Sequence, residues 1–211
     1  MQLGGRTYWL LLLGLCVLVA LVLSGIEPHD RTTWLMEVAP IFIAAPLLLF
    51  TYRRFPLTSL LYILIAAHAL VLIAGGAYTY ARVPLGFWIQ DLLSSGRNPY
   101  DKLGHFMQGF VPVLITREIL LRNGFLRSKG MTNFLSACVA LAISALYELV
   151  EWWAALALGQ GADEFLGTQG DPWDTQSDMF FALIGAIVAL AVLSRTHDRQ
   201  MEELDKRDDG L

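Results

Sequence analysis

Six long apolar stretches constrain the fold of this chain more than any other feature of its sequence. They cover approximately residues 8–25, 33–51, 56–77, 103–122, 132–157 and 175–194. A helix needs roughly 20 residues to cross the ~30 Å hydrocarbon core of a bilayer, and each stretch is close to that length. Lipid offers no hydrogen-bond partner to a backbone, and the strict alternation of a barrel strand is absent. Each stretch is therefore predicted to be a transmembrane helix.

The composition supports a membrane-embedded chain. Of 211 residues, 55% are hydrophobic and 16% are charged, against about 25% charged in a typical globular protein. A single soluble core of this size could not hide so much apolar surface. We predict an all-α, polytopic transmembrane bundle of about six helices, with the lipid bilayer as its main partner. The net charge of −4 provides no basic surface for nucleic acid, so no nucleic-acid partner is expected.

Basic residues are unevenly distributed along the chain. With six spans, 11 Lys and Arg side chains fall on the side of the N-terminus and 4 on the other, which accounts for all 15. Cytoplasmic segments carry the excess of basic residues, so both termini are predicted to be cytoplasmic. We predict one six-helix transmembrane domain over residues 1–195 and a charged cytoplasmic tail over residues 196–211.

Ionisable residues at membrane depth indicate a site, because each is costly unless it is paired or hydrated. His105 lies in the fourth stretch. Glu148 and Glu151 lie in the fifth, three residues apart and thus on one helical face. Asp174 and Asp178 are four apart at the start of the sixth. Helix capping is the simpler reading of Asp174, and a packing contact is the simpler reading of His105.

These side chains share one predicted side of the membrane. With Glu37 of the second stretch, they are expected to converge on one outward-opening polar pocket. Carboxylates massed at low dielectric must share protons or bind a cation. Oxygen ligands with one imidazole suit a hard or borderline divalent ion, so a divalent metal is the cofactor that the pattern indicates. The candidate catalytic residues are His105, Glu148, Glu151 and Asp178, and the candidate metal ligands are those four with Asp174.

The sequence also predicts the structure of several other segments and residue pairs. Residues 78–101 are rich in aromatic side chains and are predicted to lie at the outer interface. Residues 158–174 are predicted to form a glycine-rich, acidic outer loop. Gly75 and Gly76 indicate either a close helix contact or a kink. Arg117 and Glu118 are interpreted as an ion pair, within one helix or between helices, near the inner interface.

A series of motifs resembles the YjdF-like inner-membrane proteins. It consists of D-K-x-x-H-F at 101–106, R-E at 117–118, E-x-x-E-W at 148–152 and Q-G-D-x-W-D-x-x-x-D-M at 169–179. The likeness spans roughly residues 55–195. It implies a multi-pass protein of the bacterial inner membrane and supplies no reaction.

A fainter likeness is to the VanZ-like membrane proteins, which are associated with teicoplanin resistance. The D-K-x-x-H-F element at 101–106 matches theirs, and Glu148 or Glu151 could match a later membrane glutamate. Asp178 and Gly185 match part of a D-x-x-x-N-x-x-G element. Ala182 stands where that element has asparagine, which removes a polar group from the expected pocket.

Three functional hypotheses follow from the sequence. In the first, the pocket binds or acts on an envelope or lipid-linked substrate, with His105 and Glu148 or Glu151 as acid and base or as metal ligands. In the second, the chain transports protons, cations or small solutes. In the third, the chain is a membrane scaffold whose buried polar residues only fix helix packing.

Overall fold

The computed structural model describes residues 5–158 and 169–208. Within these ranges the regular structure is entirely helical, with seven α-helices and one 3-10 turn at Tyr80–Arg82. The helices are α1 (Gly5–Ser24), α2 (Arg31–Thr51), α3 (Ser59–Tyr78), α4 (Pro84–Leu93), α5 (Tyr100–Arg122), α6 (Lys129–Leu158) and α7 (Asp174–Asp208).

Five of the helices, α1, α2, α3, α6 and α7, are long and apolar enough to cross a membrane. The predicted fold class, an all-α polytopic membrane protein, is confirmed. Helix α5, the fourth predicted span, has 23 residues but is not among these five, because polar and charged side chains lower its hydropathy, so its crossing of the membrane stays a prediction. Helix α7 extends past the end of the sixth predicted span at 194 and continues through the predicted tail as far as Asp208. The orientation of the termini and the single-domain assignment stay predictions.

The chain divides into two compact units. The first comprises Met1–Pro56 and Tyr62–Asp101, and the second comprises Leu57–Leu61 and Lys102–Leu211. The core of the first unit is built from α1, α2 and α3 through Leu21, Val38, Ile41, Ala69 and Ile73.

Helices of the first unit approach one another closely at the end of α3. A Cβ atom added to Gly76 would lie 3.2 Å from the Cβ of Glu37 in α2, and one added to Gly75 would overlap the ring of Tyr80. The close-contact reading of this glycine pair is therefore the one that the structure supports. Asp30 caps the N-terminus of helix α2, and its carboxylate accepts a hydrogen bond from the Thr33 amide at 2.7 Å. This backbone hydrogen bond lowers the pKa of Asp30.

Large apolar side chains cover the outside of the membrane helices. On α1, Leu11, Leu15, Leu18 and Val22 form one stripe, and each is more than half exposed. In water such a stripe would have to be covered by other parts of the protein, whereas lipid solvates it directly.

The segment at 78–101 contains α4, which presents Leu85, Trp88 and Leu92 on one exposed face. The predicted outer loop at 158–174 lies outside the described residues over 159–168.

Helices α6 and α7 contact one another in the second unit, and both carry buried small residues. Thr132, Ser136, Ala140 and Ser144 recur every four residues on α6, and all four are fully buried. Helix α7 presents Ala182, Ala186 and Ala189, which are also fully buried. Small side chains let helix backbones approach closely in lipid, where van der Waals packing replaces the hydrophobic driving force.

Helices α5 and α7 touch backbone to backbone. A Cβ atom on Gly109 would overlap the carbonyl of Ala182, and one on Gly185 would overlap the carbonyl of Phe106. Neither obstacle is the flexible end of a side chain, so neither can move aside at small cost. Glycine is required at both positions to hold this distance between the helices.

Replacing Gly185 with alanine should therefore separate α5 from α7. We expect Gly185→Ala to lower the free energy of unfolding by about 1–3 kcal/mol, as overpacking of a tight core does. The measurement is thermal unfolding of the purified protein in detergent. Gly14→Ala is the matched control, since a Cβ there meets nothing within 4 Å and alanine favours the helix. Equal melting temperatures for Gly185→Ala and the unmodified protein would contradict the packing account.

Candidate functional site

The five predicted site residues lie together in the second unit. Helix α5 carries His105, α6 carries Glu148 and Glu151, and the first turns of α7 carry Asp174 and Asp178. All are buried except Glu151, which is half-buried. Spacings of three and four residues within α6 and α7 direct each pair to one face, which is why residues distant in sequence meet here.

Lys102 is a member of this cluster that the sequence analysis did not assign to the site. Its ammonium lies 2.9 Å from Asp174 Oδ1 and 2.5 Å from Asp178 Oδ1. The side chains of Lys102 and Asp178 are 10% and 2% exposed. One buried cation thus bridges two carboxylates of the neighbouring helix. Lys102 precedes His105 by one helical turn, and this i, i+3 spacing is the signal that could have included it.

His105 has a carboxylate near each of its ring nitrogens. Nδ1 is 3.9 Å from Glu148 Oε1, and Nε2 is 3.8 Å from Asp178 Oδ2. Nδ1 also lies 3.1 Å from the amide oxygen of Gln108, one turn further along α5. The ring of Tyr147 packs edge-on against the imidazole, with centroids 6.4 Å apart. Gln108 and Tyr147 are site neighbours that sequence reasoning missed.

One ligand atom from each of His105, Glu148 and Glu151 lies within 4.8 Å of the other two. This set can hold a metal ion with one nitrogen and two or more oxygen ligands. Within the described part of the chain, Asp174 is in no such group, and its Oδ1 is held by Lys102. The catalytic and metal-binding roles assigned from sequence stay predictions.

A second buried polar cluster, centred on Glu118, lies toward the other end of α5. Its carboxylate accepts hydrogen bonds from the Thr58 amide at 3.0 Å and the Thr58 hydroxyl at 2.8 Å. Arg122 donates to it at 3.0 Å, and His197 Nε2 lies 2.8 Å away. Gln200 accepts from the Leu60 amide at 2.9 Å. The first turn of α3 is thus anchored by side chains from α5 and α7.

The expected ion pair between Arg117 and Glu118 is wrong. Arg117 pairs instead with Asp198 at 2.7 Å, while Glu118 pairs with Arg122 and His197. Adjacent residues on a helix point about 100° apart and cannot face one another. His197 is fully buried although its position falls in the predicted tail. Its burial was not predicted, because the residues around it are charged and were assigned to a solvated tail.

Removing the Lys102 charge should leave two buried carboxylates without their shared cation. We expect Lys102→Met to lower the free energy of unfolding by about 3–5 kcal/mol, as breaking a buried ion pair does. Adding Asp178→Asn to that variant should recover part of the loss, because it removes one stranded charge. Thermal unfolding of the two single variants and the double variant gives the coupling. Additive effects would contradict the bridge.

Comparison with known proteins identifies the relatives of the chain. The family model described as "Predicted membrane protein (DUF2238)" matches residues 9–199. The chain is 61% identical over 187 residues to the inner membrane protein YjdF of Escherichia coli (strain K12), covering 89% of this chain and 90% of that protein. No solved structure matches.

These findings confirm the resemblance to YjdF-like proteins and the location in the bacterial inner membrane, while the likeness to VanZ-like proteins stays a prediction. The match covers the helices on which both polar clusters lie. The chain belongs to the DUF2238 family of predicted membrane proteins.

Proposed function

We propose that His105 and the carboxylates around it form an outward-facing, cation-dependent site that binds or acts on an envelope or lipid-linked ligand. The observation that carries the proposal is the spacing around the imidazole, with one carboxylate oxygen 3.9 Å from Nδ1 and another 3.8 Å from Nε2. The outward direction rests on the uneven distribution of basic residues.

These two distances are too long for direct hydrogen bonds, which lie near 2.7–3.2 Å for a nitrogen donor. They match the separation of two atoms that bind the same ion. With metal–ligand bonds of about 2.0–2.2 Å, two ligand atoms lie roughly 3–4 Å apart. A cation could therefore bind on one side of the imidazole, beside Glu148 and Glu151 or beside Asp178, and not at both ring nitrogens at once.

The charges of the cluster support the same reading. Lys102 supplies one positive charge to Asp174 and Asp178, and the carboxyls of Glu148 and Glu151 lie beside His105 in the same cluster. Burial favours protonation or cation binding over several separate carboxylate charges. Imidazole nitrogen favours zinc or a similar borderline ion over magnesium or calcium.

The chemistry open to this arrangement is acid–base or metal-assisted. A zinc-type ion would lower the pKa of a bound water to about 7 and polarise a carbonyl or phosphoryl oxygen. Glu148 and Glu151, one turn apart on α6, would then accept or deliver the proton. A site that faces outward near the membrane surface meets lipid headgroups and lipid-linked molecules first, which is why we propose those as the ligand class.

Transport is the alternative that the geometry supports less. The Glu118 cluster lies about 13 residues beyond His105 on α5, or roughly 20 Å along the helix axis. Between them α5 contributes the buried apolar side chains of Val111, Val113 and Leu114, together with the tight contact at Gly109. This apolar layer separates the two polar clusters in the described structure.

Cation binding tests the proposal directly. Chelator-treated protein in detergent should gain thermal stability with Zn²⁺, Co²⁺ or Mn²⁺, because an ion that binds only the folded state stabilises it. We expect Glu148→Gln to weaken binding at least ~10-fold by removing a charged ligand from the group that Glu148 forms with His105 and Glu151. Glu203→Gln, on an exposed part of α7, is the matched control and should bind as the unmodified protein does. The proposal fails if no cation raises the melting temperature, or if all variants bind equally.

A further inference from the structure

We propose that helix α4 is an interfacial helix, which lies at the membrane surface and inserts its exposed face of Leu85, Trp88 and Leu92 into the bilayer. The partner of this face is the boundary between lipid headgroups and acyl chains. The inference concerns the first unit alone and does not depend on the proposed cation site.

The exposed face of α4 is apolar. Leu85, Trp88 and Leu92 follow the i, i+3, i+7 spacing of one helical stripe, and they are 50%, 64% and 68% exposed. Gly86 and Gln90, four residues apart on the opposite side of the helix, are buried and half-buried. A helix that packs on protein with one side and presents large apolar side chains on the other is typical of a position between protein and lipid.

Asn98 fixes the inner side of α4 to the rest of the first unit. Its side-chain amide donates to the Val83 carbonyl at 3.0 Å, directly before α4, and its amide oxygen accepts from the Tyr100 backbone amide at 3.0 Å. Gly86 packs on this side chain, since an added Cβ atom would overlap the Asn98 amide. The protein therefore sets the orientation of α4, and the apolar stripe faces away from it.

Contacts to α3 set the depth at which α4 is held. The Tyr100 hydroxyl donates to the Val71 carbonyl at 3.2 Å, and the Tyr80 ring, 5.8 Å from that of Tyr100, lies against Gly75. Val71 precedes the end of α3 at Tyr78 by seven residues, or roughly 10 Å along the helix axis. The segments on both sides of α4 thus fold back along the last turns of α3, which is long and apolar enough to cross the membrane.

Length and charge determine how α4 meets the bilayer. Its 10 residues extend about 15 Å, which is too short to cross a hydrocarbon core of about 30 Å. Its one charged residue is Asp91, and it has no Lys or Arg that could bind anionic headgroups. Burial of apolar surface therefore holds α4 at the membrane, and its insertion should be independent of lipid charge.

Site-directed spin labelling in lipid nanodiscs tests this placement. The 2 cysteines of the chain, Cys16 and Cys138, are first replaced with alanine, and one labelled cysteine is then introduced into α4. The label in Leu92→Cys should lie about 5–10 Å below the headgroups and be reached mainly by oxygen, which concentrates in lipid. The label in Asp91→Cys, about 100° around the helix, should be reached mainly by a water-soluble nickel complex.

Leu18→Cys on the apolar stripe of α1 and Glu203→Cys on an exposed part of α7 are the matched controls for lipid and water. The results for Leu92→Cys should be the same in phosphatidylcholine and in its mixture with phosphatidylglycerol. Nickel access to Leu92→Cys equal to that in Glu203→Cys would place the face in water and overturn the proposal. Exclusion of both reagents would indicate a covering protein, such as a second copy of the chain, and would overturn it too. Lipid access that requires phosphatidylglycerol would also contradict it.

Trp88 provides a second measurement without cysteine variants. The chain has 6 tryptophans, so the difference in emission between the unmodified protein and Trp88→Phe isolates the signal of this residue. Lipids brominated near the headgroup should quench that signal more strongly than lipids brominated at the end of the acyl chain. A Trp88 signal that no brominated lipid quenches would overturn the proposal.

Discussion

The cost of placing charge in hydrocarbon is the constraint on which the structure of the second unit depends. Charged side chains at membrane depth must be paired, hydrated or neutralised. Helices α5 and α7 meet this demand with the Lys102 and His105 cluster toward one end and the Glu118 cluster toward the other. Between them the helices are joined by small residues, and at Gly109 and Gly185 the backbones touch. Polar groups are thus concentrated at two levels that are separated by an apolar layer.

The two clusters compensate the cost of buried charge in different ways. Glu118 is surrounded by donors at hydrogen-bond distance, from Thr58, Arg122 and His197. A carboxylate so fully engaged is suited to anchoring helices and offers little to a ligand. Around His105 the carboxylates stand 3.8–3.9 Å from the ring. That spacing is compatible with an ion between the groups, which is why the proposed chemistry is placed at the His105 cluster and the anchoring at Glu118.

Much of the fold could be predicted from sequence, because hydrophobic length is a strong and local signal in a membrane protein. Each of the six predicted stretches corresponds to a helix, and their ends differ mainly where charge begins. The sixth predicted span ends at 194, where charged residues follow, but helix α7 continues beyond it and buries His197. Hydropathy reports what faces lipid; it does not report which charges pair.

The membership of the site was also largely predictable, since ionisable residues in apolar helices are rare. Their spacing predicted that Glu148 and Glu151 share one helical face, and in the structure both lie beside His105. The pairing was not predictable. Lys102 could equally have been solvated at the helix start, and Gln108 carries no charge to distinguish it from other polar residues. Which oxygen meets which nitrogen depends on the contact between α5, α6 and α7, and no local pattern encodes that contact.

X-ray absorption spectroscopy of the zinc-loaded protein tests the central claim most directly, because it reports the atoms bound to the metal. We expect a first shell of nitrogen and oxygen at about 2.0–2.2 Å, with the outer-shell scattering of one imidazole that disappears in His105→Gln. A first shell of oxygen alone, without imidazole scattering, or a spectrum unchanged by His105→Gln, would contradict the account.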